Sequence, residues 1–228
     1  MKSRSWVDHT LLGVSALLLV LSLYLIFFWV PTEKTMGIVQ RIFYWHVAIS
    51  WVAFLAFFLT FVHSILFLVK KDPSFDRSAS ASAEIGVFLT GLVLVSGSIW
   101  ARPIWGHWWE WGEPRLTTAL VLFLIYLGYL MVRAYSSEAQ APRFGAVVGI
   151  IGFLDVPIVY MSIRWWRTIH PPPVIAGGEG SGLAPEMLLT LIVSVVAFSF
   201  FCWLLVRLRV ALKTGEEEVK LMQRDLDL

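Results

Sequence analysis

The sequence predicts an all-α polytopic membrane protein, with six transmembrane helices and a tryptophan-rich loop on the periplasmic side. Three observations predict it. Of 228 residues, 58% are hydrophobic and 15% are charged, whereas soluble domains carry about one quarter charged residues. Mean hydropathy is +0.74. Six apolar stretches, at 11–30, 42–69, 85–101, 116–132, 144–163 and 187–206, are each long enough to cross a hydrocarbon core as a helix. Helices are the natural choice because they satisfy their own backbone hydrogen bonds in lipid.

The first stretch follows Lys2 and Arg4, as in a signal peptide, but ends in Trp29-Val30-Pro31-Thr32-Glu33. That is no small-residue cleavage site, so it reads as a retained anchor. The second is the longest; at ~1.5 Å per residue it reaches about 42 Å and must tilt or protrude. A loop at about 102–115 separates the third and fourth stretches. The fifth holds Asp155 and Pro157. An intramembrane carboxylate marks function or a helix–helix bond, and the proline predicts a kink or a freed carbonyl; structural and functional readings of Asp155 stand level. Between the fifth and sixth stretches, Pro171-Pro172-Pro173 reads as stiff and the glycines from Gly177 to Gly182 as flexible. Those glycines lack the Lys-Ser/Thr of a phosphate loop, so nucleotide binding is not supported. From 207 to 228 the chain is polar and reads as a solvated cytoplasmic tail. There is no repeat, and 1–228 reads as one transmembrane domain.

Orientation follows from the basic residues. Lys2, Arg4, Lys70, Lys71, Arg77, Arg133, Arg143, Arg207, Arg209, Lys213, Lys220 and Arg224 fall on one side; Lys34, Arg41, Arg102, Arg115, Arg164 and Arg167 fall on the other. Twelve against six places both termini in the cytoplasm of a bacterial inner membrane. A formal net charge of +2 gives no case for nucleic acid. The lone Cys202, inside an apolar run, reads as a packing residue; it excludes a disulfide framework and a cysteine metal cage.

The chemistry concentrates on the expected outer side. Trp105, Trp108, Trp109 and Trp111 crowd one short segment with His107, Glu110, Glu113 and Arg115. An aromatic belt uses one or two rings per helix end, which suits Trp6, Trp29 and Trp203 but not this cluster. Four indoles among charges suggest a flat apolar platform. His46 and His170 lie on the same side, and neutral imidazole is the commonest ligand for iron. A flat, apolar, anionic, metal-bearing ligand is haem: indoles would hold the macrocycle, His46 and His170 the iron, and arginines the propionates. His107 ranks below these two as a ligand. His63 lies about 25 Å beyond His46 along one helix axis and cannot share its ligand.

The segment from Trp105 to Thr117 resembles the W-G-x-x-W-x-W-D-x-R-L-T motif of CcmC and CcsA type cytochrome c assembly proteins. The run Asp155-Val156-Pro157-Ile158-Val159-Tyr160 through Trp165-Trp166-Arg167-Thr168-Ile169-His170-Pro171 resembles the fifth-span region of the CcmC family. The resemblance covers the chain to about residue 208, and six spans fit CcmC better than its larger relatives. It implies a role in cytochrome c maturation: non-covalent, transient binding of haem b at the outer face and its presentation to a membrane-anchored haem chaperone. A small membrane peptide and ATP-binding-cassette transporter subunits are the implied partners. It assigns haem contact to His46, His170, Trp105, Trp108, Trp109, Trp111 and Arg115. One departure stands out. Where the family has Trp-Asp, this chain has Trp111-Gly112-Glu113. Either Gly112 replaces the aspartate, or a glycine is inserted and Glu113 takes its place, and the second aligns better.

No side-chain constellation points to an enzyme. Two other functions remain open. A haem permease would use Asp155 and Pro157 as a broken-helix site. A b-type electron-transfer cytochrome would hold haem between facing histidines deep in the membrane, and the sequence lacks a second histidine in the interior of any span. A structural anchor leaves the tryptophan loop without a purpose.

Overall fold

A computed structural model describes residues 2–170 and 182–226, with side chains from residue 6 onward. The proline- and glycine-rich stretch at 171–181 lies outside the described residues. All described regular structure is helical: α1 Lys2–Tyr24, α2 Ile42–Lys70, α3 Pro73–Trp105, α4 Pro114–Tyr135, α5 Ala141–Phe153, α6 Asp155–Trp165 and α7 Pro185–Leu226. A π-helical turn, Leu25–Trp29, ends α1, and a 3-10 turn, Ile38–Arg41, leads into α2. Among the described residues, six helical segments are long and apolar enough to cross a membrane, with α5 and α6 together making one of them.

That division has a local cause. Pro157 has no N–H to give the carbonyl four residues back, and its ring crowds that carbonyl. The carbonyl belongs to Phe153, the last residue of α5; the chain turns at Leu154, whose N–H bonds instead to the Ile151 carbonyl at 3.1 Å. The expected kink is therefore a one-residue break. Asp155 opens α6, buried, with one carboxylate oxygen unpartnered among the described residues.

α2 and α3 form the central hairpin. Ala48, Ile49, Val52, Ala53 and Ala56 of α2 pack with Leu89 of α3 and with Phe198 and Cys202 of α7, so Cys202 is the packing residue its setting suggested. A second cluster joins Phe57 and Ala83 to Leu122, Tyr126 and Tyr129 of α4 and Val156 and Val159 of α6. Phe57 stacks on Tyr126 with ring centroids 3.8 Å apart. Without a strong hydrophobic drive between helices in lipid, close approach and hydrogen bonds do the joining. Gly149 of α5 accepts from the Tyr126 hydroxyl at 3.0 Å, and Ser22 of α1 meets Ser194 of α7 at 2.7 Å.

Two helices run longer than the hydropathy predicted. α3 starts at Pro73, capped by Asp72, whose carboxylate accepts from the Ser74 N–H at 2.8 Å. Its first turns bury Ala79, Ser80, Ala81, Ser82 and Ala83, small residues that pack closely yet score as weakly apolar. At the other extreme, the expected solvated tail continues α7 as helix to Leu226. Ion pairs hold it: Arg207 with Asp8 at 2.9 Å, Lys213 with Glu84 at 2.6 Å, Arg77 with Glu217 at 2.8 Å, and Arg224 with Glu138 at 2.5 Å. Nearby, Arg133 grips Asp76 with two bonds of 2.6 and 2.8 Å. The bundle thus has a charged, ion-paired end and an aromatic end.

Candidate functional site

The aromatic end is built from four helix ends and the loops between them. α3 continues past Pro103 to Trp105 and stops at Gly106, whose φ of +85° is open mainly to glycine. The Arg102 guanidinium reaches forward to the Gly106 carbonyl. Residues 106–113 then turn the chain into α4. Inside the turn, the Glu110 carboxylate accepts from the Gly112 N–H at 3.1 Å, and the Thr117 hydroxyl donates to the Trp111 carbonyl at 2.9 Å.

Glu113 is the buried centre of this arrangement, 2% exposed. It stands at the N-cap of α4 and faces the Arg115 N–H at 3.5 Å. Its carboxylate also accepts from the Ile169 N–H at 3.0 Å and from the Thr168 hydroxyl. Thr168 in turn accepts from the His170 N–H at 3.0 Å. One carboxylate therefore ties the tryptophan loop to the segment that carries His170, across 55 residues of sequence. Of the two residues considered for the family's aspartate position, Glu113 carries this buried carboxylate; Gly112 is exposed.

The two histidines converge. His46, in the second turn of α2, is half-buried. Its Nδ1 lies 2.9 Å from the Ser96 hydroxyl, and its ring meets the edge of Trp100 at 5.8 Å. His170 and Arg115 are both within Coulombic reach of His46. The His170 ring sits 5.9 Å from Trp105, edge to face. Arg115 is half-buried and faces Tyr160 and Glu113. His46, Trp105, Arg115 and His170 thus form one group. His63 is at the other end, bonded to its own helix at the Leu59 carbonyl and near Phe75.

The remaining indoles are looser. Trp109 and Trp111 meet edge to face at 5.7 Å, and Trp111 is 73% exposed. Trp108 is exposed and makes no ring contact among the described residues. Trp165 and Trp166 add two more exposed rings, 5.8 Å apart. His107 lies 6.5 Å from Trp105, with its Nε2 3.8 Å from the Glu110 carboxylate. Arg164 lies over Tyr160 at 5.5 Å.

The sequence reading missed Ser96, Trp100 and Thr168. Ser96 and Trp100 stand four apart on α3 and share a face, a signal available in advance. That this face meets His46 was not.

A large flat apolar ligand with acceptor groups suits these residues. Exposed indoles offer it faces. Trp100 Nε1, Trp109 Nε1 and Arg41 Nε are buried donors without acceptors among the described residues, and buried donors normally have partners. An imidazole in its neutral form offers nitrogen to a metal.

Comparison with known proteins assigns the chain to a family. The family profile described as "CcmC: Heme exporter protein C" matches residues 1–225. The chain belongs to the CcmC family. Heme exporter protein C of Bradyrhizobium diazoefficiens is 36% identical over 170 residues, 74% of this chain and 64% of the relative; the match therefore spans just under two thirds of that protein's own length. A putative cytochrome c biosynthesis ccmC-like mitochondrial protein of Arabidopsis thaliana is 33% identical over 90% of this chain and 77% of its own. Heme exporter protein C of Escherichia coli K12 is 29% identical over 85% and 76%.

Proposed function

We propose that this chain serves cytochrome c maturation by holding haem at its aromatic end and presenting it to a membrane-anchored haem chaperone. The observation that carries the reading is the approach of His46 on α2, Arg115 at the start of α4 and His170 in the segment after α6, near enough for their charges to interact, with Trp105 against His170. Relatives named for heme export and cytochrome c biosynthesis point the same way.

In this reading haem b is cargo, bound transiently and without a covalent bond. His46 and His170 take the two axial positions of the iron. Trp105, Trp108, Trp109 and Trp111 cover the macrocycle, and Arg115 pairs a propionate. Exposed rings on one side leave the haem reachable by a partner. The chain makes and breaks no bond in its cargo, so it is not an enzyme. The aromatic end faces the periplasm, both termini face the cytoplasm, and the membrane is the bacterial inner membrane. A small membrane peptide and ATP-binding-cassette subunits work beside it.

The test is the absorption spectrum of the protein purified from haem-replete cells, beside His46→Ala and His170→Ala. A low-spin spectrum that weakens or turns high-spin in either variant is the expected result. Haem bound equally by parent and both variants refutes the axial assignment.

Haem passage through the bundle is a second reading. The Asp155 oxygen at the break between α5 and α6, without a partner among the described residues, favours it. Uptake of labelled haem into vesicles containing this chain alone would support passage over presentation.

A further inference from the structure

We propose that Ser96 is a positioning residue: it fixes His46 as the Nδ1–H tautomer and leaves Nε2 as the open ligand atom. The proposal deepens the haem reading above and rests on it for the identity of the ligand.

A neutral imidazole has one N–H and one lone pair, and its hydrogen bonds decide which nitrogen carries which. His46 Nδ1 and Ser96 Oγ are 2.9 Å apart, and either atom has the means to donate. The Ser96 hydroxyl has a single proton. The Val93 carbonyl, one turn back on α3, takes it at 3.3 Å. A carbonyl only accepts, so in the proposed arrangement the hydroxyl proton goes to Val93 and Oγ keeps lone pairs toward His46. Nδ1 must then be the donor. Nε2 carries the lone pair. It makes no hydrogen bond among the described residues, and it is not one of the buried, unpaired polar atoms. It is therefore vacant and not wholly enclosed.

The neighbouring residue of α3 makes this geometry possible. A Cβ on Gly97 would lie 3.1 Å from His46 Cε1 and 3.9 Å from Nε2. The first distance is tighter than ordinary contact, so a side chain there would crowd the ring and make it give by a few tenths of an ångström. Trp100, a turn further on, closes the slot edge-on. Ser96, Gly97 and Trp100 together hold the imidazole from α3, with the nitrogen that ligates metal pointing away from its tether. Metal-binding histidines commonly have such a partner on the second nitrogen, and losing it costs 10- to 100-fold in affinity.

The experiment uses the full chain in detergent, labelled with 15N at histidine, without haem and at neutral pH. His46→Ala assigns the His46 signals. The expected parent spectrum has Nδ1 protonated and Nε2 bare. Ser96→Ala should shift the ring toward the Nε2–H form, and Ser96→Thr, which keeps a hydroxyl, should restore the parent pattern. A parent ring protonated at Nε2, or a tautomer unmoved by Ser96→Ala, overturns the proposal whatever haem does. The same proteins are then titrated with haem. Binding weakened about tenfold in Ser96→Ala and within twofold of the parent in Ser96→Thr supports the tether. If the tautomer is as expected but His46→Ala binds haem like the parent, the haem reading and the ligand role of Nε2 fall, and the tautomer assignment survives.

Discussion

Replacing Glu113 with alanine removes the acceptor that joins the tryptophan loop to the His170 segment. The carboxylate takes two good hydrogen bonds, from Ile169 N–H and the Thr168 hydroxyl. Bonds to a charged acceptor contribute about 1.5–3 kcal/mol each, which sets a ceiling near 6 kcal/mol. Ile169 is 52% exposed, so water reaches the freed groups and recovers part of this. We expect the segment at 166–170 to lose about 2–3 kcal/mol of local stability, raising its open population roughly 30- to 150-fold. Glu113→Gln should cost less. Its amide oxygen still serves Ile169, and its NH2 donates to Thr168, whose hydroxyl also accepts. The assay is trypsin cleavage after the exposed Arg167, which follows the open population while reclosing is fast. Cleavage after Arg143 in the same digest, together with an unchanged melting temperature, separates local opening from global loss of fold. Equal cleavage after Arg167 in parent and Glu113→Ala would refute the clamp.

Three further outcomes follow from the packing. Gly86→Ala would put a Cβ 2.5 Å from Phe57 Cε1, on a ring already stacked against Tyr126; overpacking of this kind costs about 1–3 kcal/mol and should lower the melting temperature in detergent. Asp76→Asn weakens the paired grip of Arg133, whose side chain is 18% exposed; the thermal loss should be about 2–3 kcal/mol, and Asp76→Leu with Arg133→Met should recover part of it. At the end of α7, Arg224 and Lys220 hold the exposed Glu138 carboxyl below its ordinary value of 4.5. A lowered pKa means that this tether is present above the ordinary value and lost as pH falls through the lowered one. Hydrogen exchange over 218–226 should therefore stay slow to about pH 4.5 and speed up only below it. It should also quicken in 1 M salt at neutral pH, because exposed pairs are screened.

The number of spans was legible because lipid leaves the backbone one economical choice, and apolar length reports it directly. Helix ends were less so. Hydropathy placed the third span at 85, but the helix begins at Pro73, where Asp72 caps it and small serines and alanines pack. Those residues contribute close approach rather than apolar area, and a hydropathy sum does not measure approach. The polar end of α7 misled for a related reason. Its charges read as a solvated tail, yet several pair with Asp8, Glu84 and Glu138 on other elements. Pairing between helices is a property of tertiary contact and leaves no mark in local composition. Pro157 shows the opposite case. Its effect lies four residues away on its own helix, so the break at Leu154 was readable to within a turn.

The same distinction separates the parts of the candidate site. His46, His170 and the indoles announce themselves by residue type, because few side chains ligate iron or cover a macrocycle. Glu113 and Ser96 do not, because a carboxylate or a hydroxyl takes its role from what reaches it. Glu113 is two residues from Trp111 in sequence, but its partners Thr168 and Ile169 arrive from the segment that follows α6. Ser96 looks like any helical serine bonded to its own backbone until α2 sets His46 against it. A substitution at either position would therefore look mild in the sequence. Its effect would appear at a histidine 50 or more residues away, in the tautomer of His46 or in the placement of His170.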